Sequence, residues 1–396
     1  MRKPYLYLTI TIGIFVVLVS GVLSCTRVNG INNDQVIETP FSVFFADSSG
    51  SVYSSNDGAN INKQIFEADR YPCRAITVAY NNILFVKQNL YISTNNGVSF
   101  NHSYDSVASY PEYACNNYPF DLNQSMLVNV PGWNHVYVTN DDIDPNNFMG
   151  LCYNLFGGDQ GDWYLDTPDS TGYIGNLSPA PYIIRITSLT LLPDDTLCGY
   201  DANSGRCFYR TKGSLWNECT ANSDPGDWPN IGDPHDFSGT PLPHHSIFVS
   251  TTTPIDTTAR YSYGHYNNRL IAIDQKNCNA NGAYYSDDRG RNWSHYTGLP
   301  SSPLLCIESP FEEVALIGTA GAGLYILNTN TNTWQANNNG LGRNLTVRSI
   351  TGKQRIYKNG KVQKYIFLAT DNGIYQSVDG GNNWTQTRPG NYTAIF

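Results

Sequence analysis

The sequence predicts an all-β protein, and three observations lead to this prediction. A short motif typical of a hairpin turn recurs along the chain, with strand-like alternation of polar and apolar residues around it. The composition is rich in residues that suit strands and turns, with 28 Tyr and 34 Gly among 396 residues. No long stretch repeats its apolar residues with a helical period. We therefore expect a fold built from sheets alone.

The motif has two full copies of the form S-x-D-x-G-x-x-W, each with a Tyr two residues before the Ser. Its positions are Ser286, Asp288, Gly290 and Trp293 in one copy, and Ser377, Asp379, Gly381 and Trp384 in the other. Incomplete copies lie near residues 55, 93, 139, 209 and 327. One hairpin every 40 to 50 residues or so is typical of a β-propeller, whose four-stranded blades surround a channel. Residues 41–396 are thus predicted to form a single seven-bladed β-propeller of antiparallel blades. The alternatives are an open all-β array or a count wrong by one blade.

The first unit of the repeat lacks its innermost strand. Only Glu38, Thr39 and Pro40 lie directly before the first strand-like segment, residues 41–49. The chain ends with a strand-like segment, residues 392–396, that matches the missing piece. We expect this C-terminal strand to pair beside residues 41–49 and to close the propeller, because the pairing would cover two otherwise open sheet edges.

The two full motifs resemble the Asp-box, or BNR repeat, of the sialidase-like β-propellers. The resemblance implies that each box forms the turn between the third and fourth strands of a blade, at the outer rim. There the Ser and Asp oxygens bind turn amides and the Trp packs between blades. The eight motif residues are accordingly expected to be structural. The resemblance also implies that ligands bind the opposite face, which holds the turns between second and third strands and the connections between blades.

The N-terminus resembles a bacterial lipoprotein signal. Arg2 and Lys3 precede an apolar run over residues 5–23, and Cys25 follows it. Residues 1–24 are then a signal peptide, Cys25 is the lipid-modified residue and residues 25–40 are a tether. The alternative is an uncleaved membrane anchor. Either reading predicts a protein of the bacterial cell envelope that contacts the membrane through its anchor, in the periplasm or at the cell surface.

Cysteine usage agrees with an exported protein. Eight of the nine cysteines remain after Cys25, and an exported chain can oxidise them. Cys198 and Cys207 flank a turn-rich segment and are predicted to form a disulfide across neighbouring strands. Buried free thiols are the alternative. No C-x-x-C spacing occurs, and we expect neither a metal site nor a cofactor.

The charge balance disfavours nucleic acid as a partner. Without Arg2 and Lys3, 22 of the 24 basic residues remain against 33 acidic ones, a net charge of −11. An acidic surface repels nucleic acid and anionic lipid alike, so we expect neither as a partner apart from the lipid anchor itself. The expected partner is a protein or glycan ligand, and the propeller is expected to be a monomer.

Candidate binding residues fall on the face opposite the boxes. Two long insertions, residues 141–181 and 220–262, bring aromatic residues and histidine to that face. Three arginines near the starts of innermost strands are predicted to converge on an anion such as a carboxylate. The alternatives are that the insertions pack on each other and that each arginine pairs with a local acid. The candidates are Trp163, Tyr164, Trp228 and His235 in the insertions, and Arg74, Arg185 and Arg348 on the strands.

Two functions are compatible with these features. The first is an envelope-tethered, non-catalytic propeller that binds or assembles a protein or glycan ligand. The alternative is a sialidase-type glycoside hydrolase, which mostly needs two carboxyls about 5 Å apart. The Arg-Ile-Pro signature that such enzymes carry is absent, no carboxyl pair can be nominated from the sequence, and catalytic residues therefore stay unassigned. The first hypothesis is preferred because so few residues are committed to chemistry.

Overall fold

The computed structural model describes only part of the chain, and it is all β there. The described residues are 42–66, 71–73, 75–79, 82–87, 90–102, 127–130, 135–139, 151–155, 164–165, 186–191, 196–201, 206–213, 217–218, 246–252, 268–274, 282–287, 293–311, 314–357 and 360–396. The chain divides into two units, residues 1–40 with 354–363, and residues 41–353 with 364–396. Of the first unit the structure describes residues 354–357 and 360–363.

The strands of the N-terminal half are short, as expected of segments bounded by turn residues. They are β1 (Val43–Asp47), β2 (Val52–Ser55), β3 (Lys63–Phe66), β4 (Ala75–Ala79), β5 (Asn82–Val86), β6 (Leu90–Ser93), β7 (Asn101–His102), β8 (Leu127–Val130), β9 (His135–Thr139), β10 (Leu151–Leu155), β11 (Tyr164–Leu165), β12 (Ile186–Leu191), β13 (Leu197–Asp201), β14 (Arg206–Arg210) and β15 (Asn217–Glu218).

The strands of the C-terminal half include the two longest. They are β16 (Ser246–Thr252), β17 (Asn268–Asp274), β18 (Ala283–Ser286), β19 (Ser294–His295), β20 (Leu304–Phe311), β21 (Val314–Thr319), β22 (Leu324–Asn328), β23 (Thr333–Ala336), β24 (Val347–Ile356), β25 (Val362–Thr370), β26 (Gly373–Ser377), β27 (Thr385–Arg388) and β28 (Tyr392–Ile395).

These strands form seven four-stranded sheets in the part of the chain that the structure describes. Six sheets take four consecutive strands in chain order, from β4–β7 to β24–β27. The remaining sheet has the order β28-β1-β2-β3. Its C-terminal strand runs antiparallel to β1, with Phe45 opposite Ile395 and Ala46 opposite Ala394. The predicted pairing of these two segments is therefore present.

One hairpin lies one strand away from its predicted place. The incomplete motif that ends at Thr139 was expected to lead into the last hairpin of its unit. Thr139 instead ends β9, the second strand of its sheet, and it pairs with Leu151 of the third strand β10. Both strands alternate with period two, and so the local pattern does not distinguish second from third strands.

The first strands of the sheets lie next to one another in sequence order. Strand β28 neighbours β4, and the series continues from β4 through β8, β12 and β16 to β20. From β20 to β24 the link is the Cys306 thiol, 3.6 Å from the carbonyl oxygen of Val347. From β24 back to β28 it is the Ser349 hydroxyl, which donates to the carbonyl oxygen of Ile395 at 3.3 Å.

The core consists of apolar layers between neighbouring sheets. Along β1, Val43 and Phe45 pack against β25 and β26, whereas Phe44 and Ala46 pack against β4 and β5. Successive side chains of a strand point to opposite faces, so each sheet contributes to two layers. Burying each such Phe stabilises the fold by about 2–3 kcal/mol.

Candidate functional site

Each sheet has two distinct ends. Because neighbouring strands are antiparallel, the turn between the third and fourth strands lies at the end where the first strand finishes. We call this the box end, since the motifs that resemble Asp-boxes occupy those turns. The turn between the second and third strands lies at the other end, where the first strand begins. We call it the opposite end, and it is the one predicted to bind ligand.

The C-terminal box is a closed hydrogen-bond network at the box end. Ser377 Oγ donates to Asp379 Oδ1 at 2.7 Å and accepts from the Gly381 amide at 2.9 Å. Asp379 Oδ1 also accepts from the Asn383 amide at 3.0 Å, and its Oδ2 accepts from Asn383 Nδ2 at 2.6 Å. Desolvation tends to raise the pKa of Asp379, but the hydrogen bonds from Asn383 and Ser377 outweigh it and lower the pKa. The carboxylate is committed to the turn.

Trp384 of this box is buried between sheets. Its amide donates to the carbonyl oxygen of Asn339 at 2.9 Å, in the connection from the preceding sheet. A Cβ on Gly340 would lie 2.0 Å from the Trp384 carbonyl oxygen, and Gly340 has a φ of 87°, so glycine is required there. The same contact joins Gly298 to Trp334, the buried Trp of the preceding sheet.

Two incomplete motifs fold into the same network. Ser55 Oγ donates to Asp57 Oδ1 at 3.0 Å, and Asp57 Oδ1 accepts from the amides of Ala59 and Asn60 at 2.9 and 2.8 Å. Burial alone would raise the pKa of Asp57, but hydrogen bonds from Asn60, Ala59 and Ser55 lower it to about 2.

The box around Ser93 carries Asn95 in the acid position. Ser93 Oγ donates to Asn95 Oδ1 at 2.9 Å, and the same Oδ1 accepts from the Val98 and Ser99 amides at 3.1 and 3.0 Å. An amide oxygen thus takes the acceptor role of a carboxylate oxygen, while Asn95 Nδ2 donates to Ser99 Oγ at 2.8 Å.

In the full motif of residues 286–293, the structure describes Ser286 and Trp293, which are both buried, while Asp288 and Gly290 lie outside the described residues. The neighbouring Asp287 binds Arg269 through two contacts of 2.6 and 2.8 Å. Arg269 also donates to Asn332 of the following sheet at 2.5 Å. This arginine links two sheets at the box end.

The opposite end carries a different cluster, where β24, β28 and the turn between β1 and β2 meet. Arg348, the second residue of β24, donates from Nη1 to Asn391 Oδ1 at 2.5 Å and to the Tyr392 carbonyl oxygen at 3.2 Å. Arg388, at the end of β27, donates from Nε to the Tyr392 hydroxyl at 2.7 Å. We call Arg348, Arg388, Asn391 and Tyr392 the arginine cluster.

A carboxylate stands beside this cluster and is satisfied locally. Asp47 Oδ1 accepts from the Ser49 and Ser51 amides at 2.9 and 3.0 Å, and its Oδ2 accepts from the Tyr53 hydroxyl at 2.9 Å. The Phe45 ring lies 5.6 Å from that of Tyr53 and 5.5 Å from that of Tyr392, measured between centroids. These rings hold both hydroxyls in place.

The electrostatics of Tyr392 reflect its position between charges. Burial raises its pKa, Arg388 counteracts the rise, and Asp47 adds to it. Burial likewise raises the pKa of Tyr53. Both phenols are therefore neutral hydrogen-bonding groups at physiological pH.

The arginine cluster has the donor groups that an anion site requires. Arg348 and Arg388 are half-buried, and they donate hydrogen bonds to an amide oxygen, a carbonyl oxygen and a phenol, which are all neutral. Within the described ranges, neither guanidinium forms an ion pair with a carboxylate. Guanidinium groups bind carboxylates in pairs of parallel hydrogen bonds, and the Nη atoms of Arg388 and Nη2 of Arg348 carry donors for such contacts.

The other predicted site residues are placed as follows. Arg74, Arg185, Trp163, Trp228, His235 and Cys25 lie outside the described residues. Tyr164 belongs to the outermost strand β11, where it pairs with Tyr153. The predicted convergence therefore stays a prediction for Arg74 and Arg185. Arg348 and Arg388 both donate hydrogen bonds to Tyr392.

The predicted disulfide also remains a prediction. Cys198 lies opposite Tyr209, and Cys207 lies opposite Tyr200, so the two cysteines are diagonal neighbours on strands β13 and β14. The side chain of Cys207 is outside the described residues. No disulfide is found in the part of the chain that the structure describes.

Sequence reasoning missed Arg388, Asn391 and Tyr392 as site residues. The available signal was the string Arg388-Pro-Gly-Asn-Tyr392, a turn sequence that links the last box strand to the closing strand. Among the described residues, no group of three His, Cys, Asp or Glu side chains could hold a metal ion. The described residues also contain no helix that is both long and apolar enough to cross a membrane.

Comparisons with known proteins give structural likenesses only. The chain matches no protein-family model and no curated protein. YCF48 from Cyanidioschyzon merolae is 14% identical with a TM-score of 0.45, over 82% of this chain and 87% of that one. The extracellular domain of the putative one-component system BT4673 from B. thetaiotaomicron is 14% identical with a TM-score of 0.42, over 82% of this chain and 36% of that one. Virginiamycin B lyase from Staphylococcus aureus is 11% identical with a TM-score of 0.39, over 77% and 80%. Identities this low assign no function.

Proposed function

We propose that residues 41–396 form a closed seven-bladed β-propeller, with each four-stranded sheet as one blade and β28 as the strand that closes the ring. The neighbouring positions of the seven first strands support this architecture. The alternation along β1, which sends its side chains into two layers, supports it as well.

The proposed function is non-catalytic binding of a protein or glycan ligand through the end opposite the Asp-boxes. The observation that carries it is the pair of arginines, Arg348 and Arg388, whose described partners are all neutral. A carboxylate of the ligand would accept hydrogen bonds from the remaining N–H groups of both guanidinium groups. Each charge-assisted hydrogen bond of this kind contributes about 1.5–3 kcal/mol.

Sialidase-type hydrolysis is the less supported candidate. It would need a second carboxyl within about 5 Å of a first one, next to the arginines. In the arginine cluster as described, Asp47 stands beside Tyr392, and both of its oxygens accept hydrogen bonds from Ser49, Ser51 and Tyr53. This carboxylate serves the β1–β2 turn.

Export and tethering complete the proposal. Residues 1–24 act as a lipoprotein signal, Cys25 carries the lipid, and residues 25–40 connect it to a monomeric propeller in the bacterial envelope. Oxidation of Cys198 with Cys207 belongs to the same proposal, because export gives access to an oxidising compartment. Mass spectrometry of the membrane fraction tests both modifications.

A binding experiment tests the ligand site. The full chain in detergent is incubated with a mixture of envelope glycans and peptides, and mass spectrometry reads what is retained and what is cleaved. Replacing Arg348 and Arg388 together with Gln should reduce retention of a carboxylate ligand by about 10- to 100-fold. Arg343→Gln is the matched control, since Arg343 is an exposed arginine without a bond to the cluster. Retention unchanged in the double variant would reject the arginine site, and a cleaved product would favour the hydrolase.

A further inference from the structure

Strands β20 and β24, the first strands of two neighbouring sheets, approach each other closely at two points. At one point the Cys306 thiol lies 3.6 Å from the Val347 carbonyl oxygen, and a Cβ on Gly318 would lie 2.7 Å from the same oxygen. At the other point a Cβ on Gly352 would lie 2.7 Å from the Pro310 carbonyl oxygen. Both approaches depend on glycine, because a larger side chain would meet main-chain atoms. We call this contact between the two strands the β20–β24 seam.

Glu308 lies on β20 between these two points and faces the seam. The register from Cys306 to Glu308 is regular, so the side chains of these two residues point to the same side of the strand. Ile307 between them points to the other side, where it packs in one cluster with Ile271 and Ile273. The register shifts directly after Glu308, and such bulges often direct a side chain. The strand thus places a carboxyl group in the seam.

The carboxyl group of Glu308 has few partners there. Among the described residues, its Oε1 accepts a hydrogen bond from the Ser309 amide at 3.1 Å, and its Oε2 has no hydrogen-bond donor. Burial raises the pKa of Glu308 to about 7, and the Ser309 hydrogen bond counteracts the rise only in part. The nearby Cys306 is a neutral thiol, because burial raises its pKa to about 12. Two glutamates of the β20–β21 turn lie outside the described residues, namely Glu312 and Glu313.

The cations on the neighbouring strands have other partners. Arg348 of β24 donates to oxygens of the arginine cluster. The Lys353 ammonium lies 3.9 Å from the centre of the Phe396 ring, and the Lys364 ammonium lies 5.0 Å from that of the Phe311 ring. Within the described ranges, Glu308 therefore has no ion pair that would stabilise its carboxylate.

We propose that the β20–β24 seam is a pH-sensitive latch, which is closed while the Glu308 carboxyl holds its proton and loosens when the proton leaves. A neutral carboxyl fits between the two strands, whereas a carboxylate without a cation needs water, which the close contacts exclude. Val347 directly precedes Arg348 on β24, so loosening moves the strand that carries one arginine of the cluster. The latch does not depend on which ligand the cluster binds.

Hydrogen exchange on the full chain, without ligand, measures the latch. The Glu308 pKa is about 7 in the closed seam and returns to its ordinary value of 4.5 when the seam opens. Linkage between these values raises the open fraction about 10-fold from pH 6 to pH 8. We expect this increase for amides of residues 347–351, after correction for the intrinsic pH dependence of exchange, and a change below about twofold for amides of β4. Equal protection of residues 347–351 at both pH values would overturn the proposal, and so would an equal change in β4.

Two variants separate Glu308 from other acids. Glu308→Gln keeps the size of the side chain and cannot ionise, so residues 347–351 should exchange at the same corrected rate at pH 6 and pH 8. Asp57→Asn makes the same change of charge at a carboxyl with a pKa of about 2, which is ionised at both pH values, and it should keep the 10-fold change. A 10-fold change that persisted in Glu308→Gln would show the proposal to be wrong. Retention of ligand by the Arg348 and Arg388 double variant tests the proposed function separately.

Discussion

The turn after Ser55, which resembles an Asp-box, provides a test of what the acid in such a turn does. We predict that Asp57→Asn is far milder than Asp57→Ala. The equivalent Asn95 performs the same task in the next sheet, where its Oδ1 accepts from Ser93 Oγ and from the amides of Val98 and Ser99. The box needs an acceptor at this position more than it needs a charge.

The magnitude follows from the hydrogen bonds of Asp57. Its Oδ1 accepts from the Ala59 and Asn60 amides and from Ser55 Oγ, and its Oδ2 accepts from Asn60 Nδ2 at 2.8 Å. Asn keeps the first oxygen, whereas Ala removes both. The exposed side-chain amide of Asn60 can bind water instead of Oδ2, so the loss of that oxygen costs little. We therefore expect Asp57→Ala to lower the free energy of unfolding by about 1–2 kcal/mol and Asp57→Asn to lower it by about 0.5 kcal/mol.

The charge adds a pH signature. The folded pKa of Asp57, about 2, lies below its ordinary value of 3.8. The ionised carboxylate thus contributes stability above pH 3.8, and this contribution is lost as the pH falls through 2. Because Asp57 is partly exposed, solvent screening reduces this contribution to about 0.5 kcal/mol, which is the cost expected for the Asn variant. The Asn variant lacks this dependence.

Urea unfolding of both variants and of the parent chain, near neutral pH and near pH 3, measures these differences. An Asn variant as unstable as the Ala variant would refute the acceptor argument and assign the stability to charge. Parent and Ala variant with equal midpoints would refute any structural role of the box at this site.

Three further predictions concern other parts of the fold. Burial raises the pKa of Glu308 from 4.5 to about 7, so the folded state binds this proton more tightly than the unfolded state and loses stability as the pH rises from 4.5 to 7. Thermal unfolding should therefore show Glu308→Gln to be more stable than the parent by about 2–3 kcal/mol near pH 8 and equal to it near pH 4. Arg269→Lys keeps the charge but loses the two hydrogen bonds to Asp287, and we expect the free energy of unfolding to fall by about 1 kcal/mol in urea titrations. An unchanged free energy of unfolding would show that the contact is dispensable. Gly340→Ala should cost more than about 2 kcal/mol, because its Cβ would meet the Trp384 carbonyl oxygen at 2.0 Å, and a folded variant of parent stability would contradict that contact.

The sequence predicted the hairpins better than their order within sheets. The motif spacing located the third strands that end at Ser55, Ser93, Ser286 and Ser377. It misplaced Thr139, because a second strand alternates in the same way as a third one and its long connection to β10 breaks the spacing. Register depends on partners that the local pattern does not contain.

The box networks show a related limit. Asp57 and Asn95 were identified only as remnants of a motif, yet both organise a full turn. The side-chain chemistry tolerates either residue as acceptor, whereas a pattern search counts only the consensus acid.

The sequence predicted one arginine of the cluster and not the other. Arg348 stood out because it begins an innermost strand, but Arg388 lies at the end of an outermost strand and meets it only through Tyr392. Contacts between residues on different strands arise from tertiary packing, and no local signal reports them.

The pairing of β28 with β1 imposes an order on biosynthesis. Strand β1 is translated long before its partner β28, so this edge of β1 stays unpaired until residues 392–395 have been made. An exported chain would cross the membrane with that edge open, exposed to chaperones and to wrong partners. Deletion of β28 would therefore leave the edge of β1 without its partner strand.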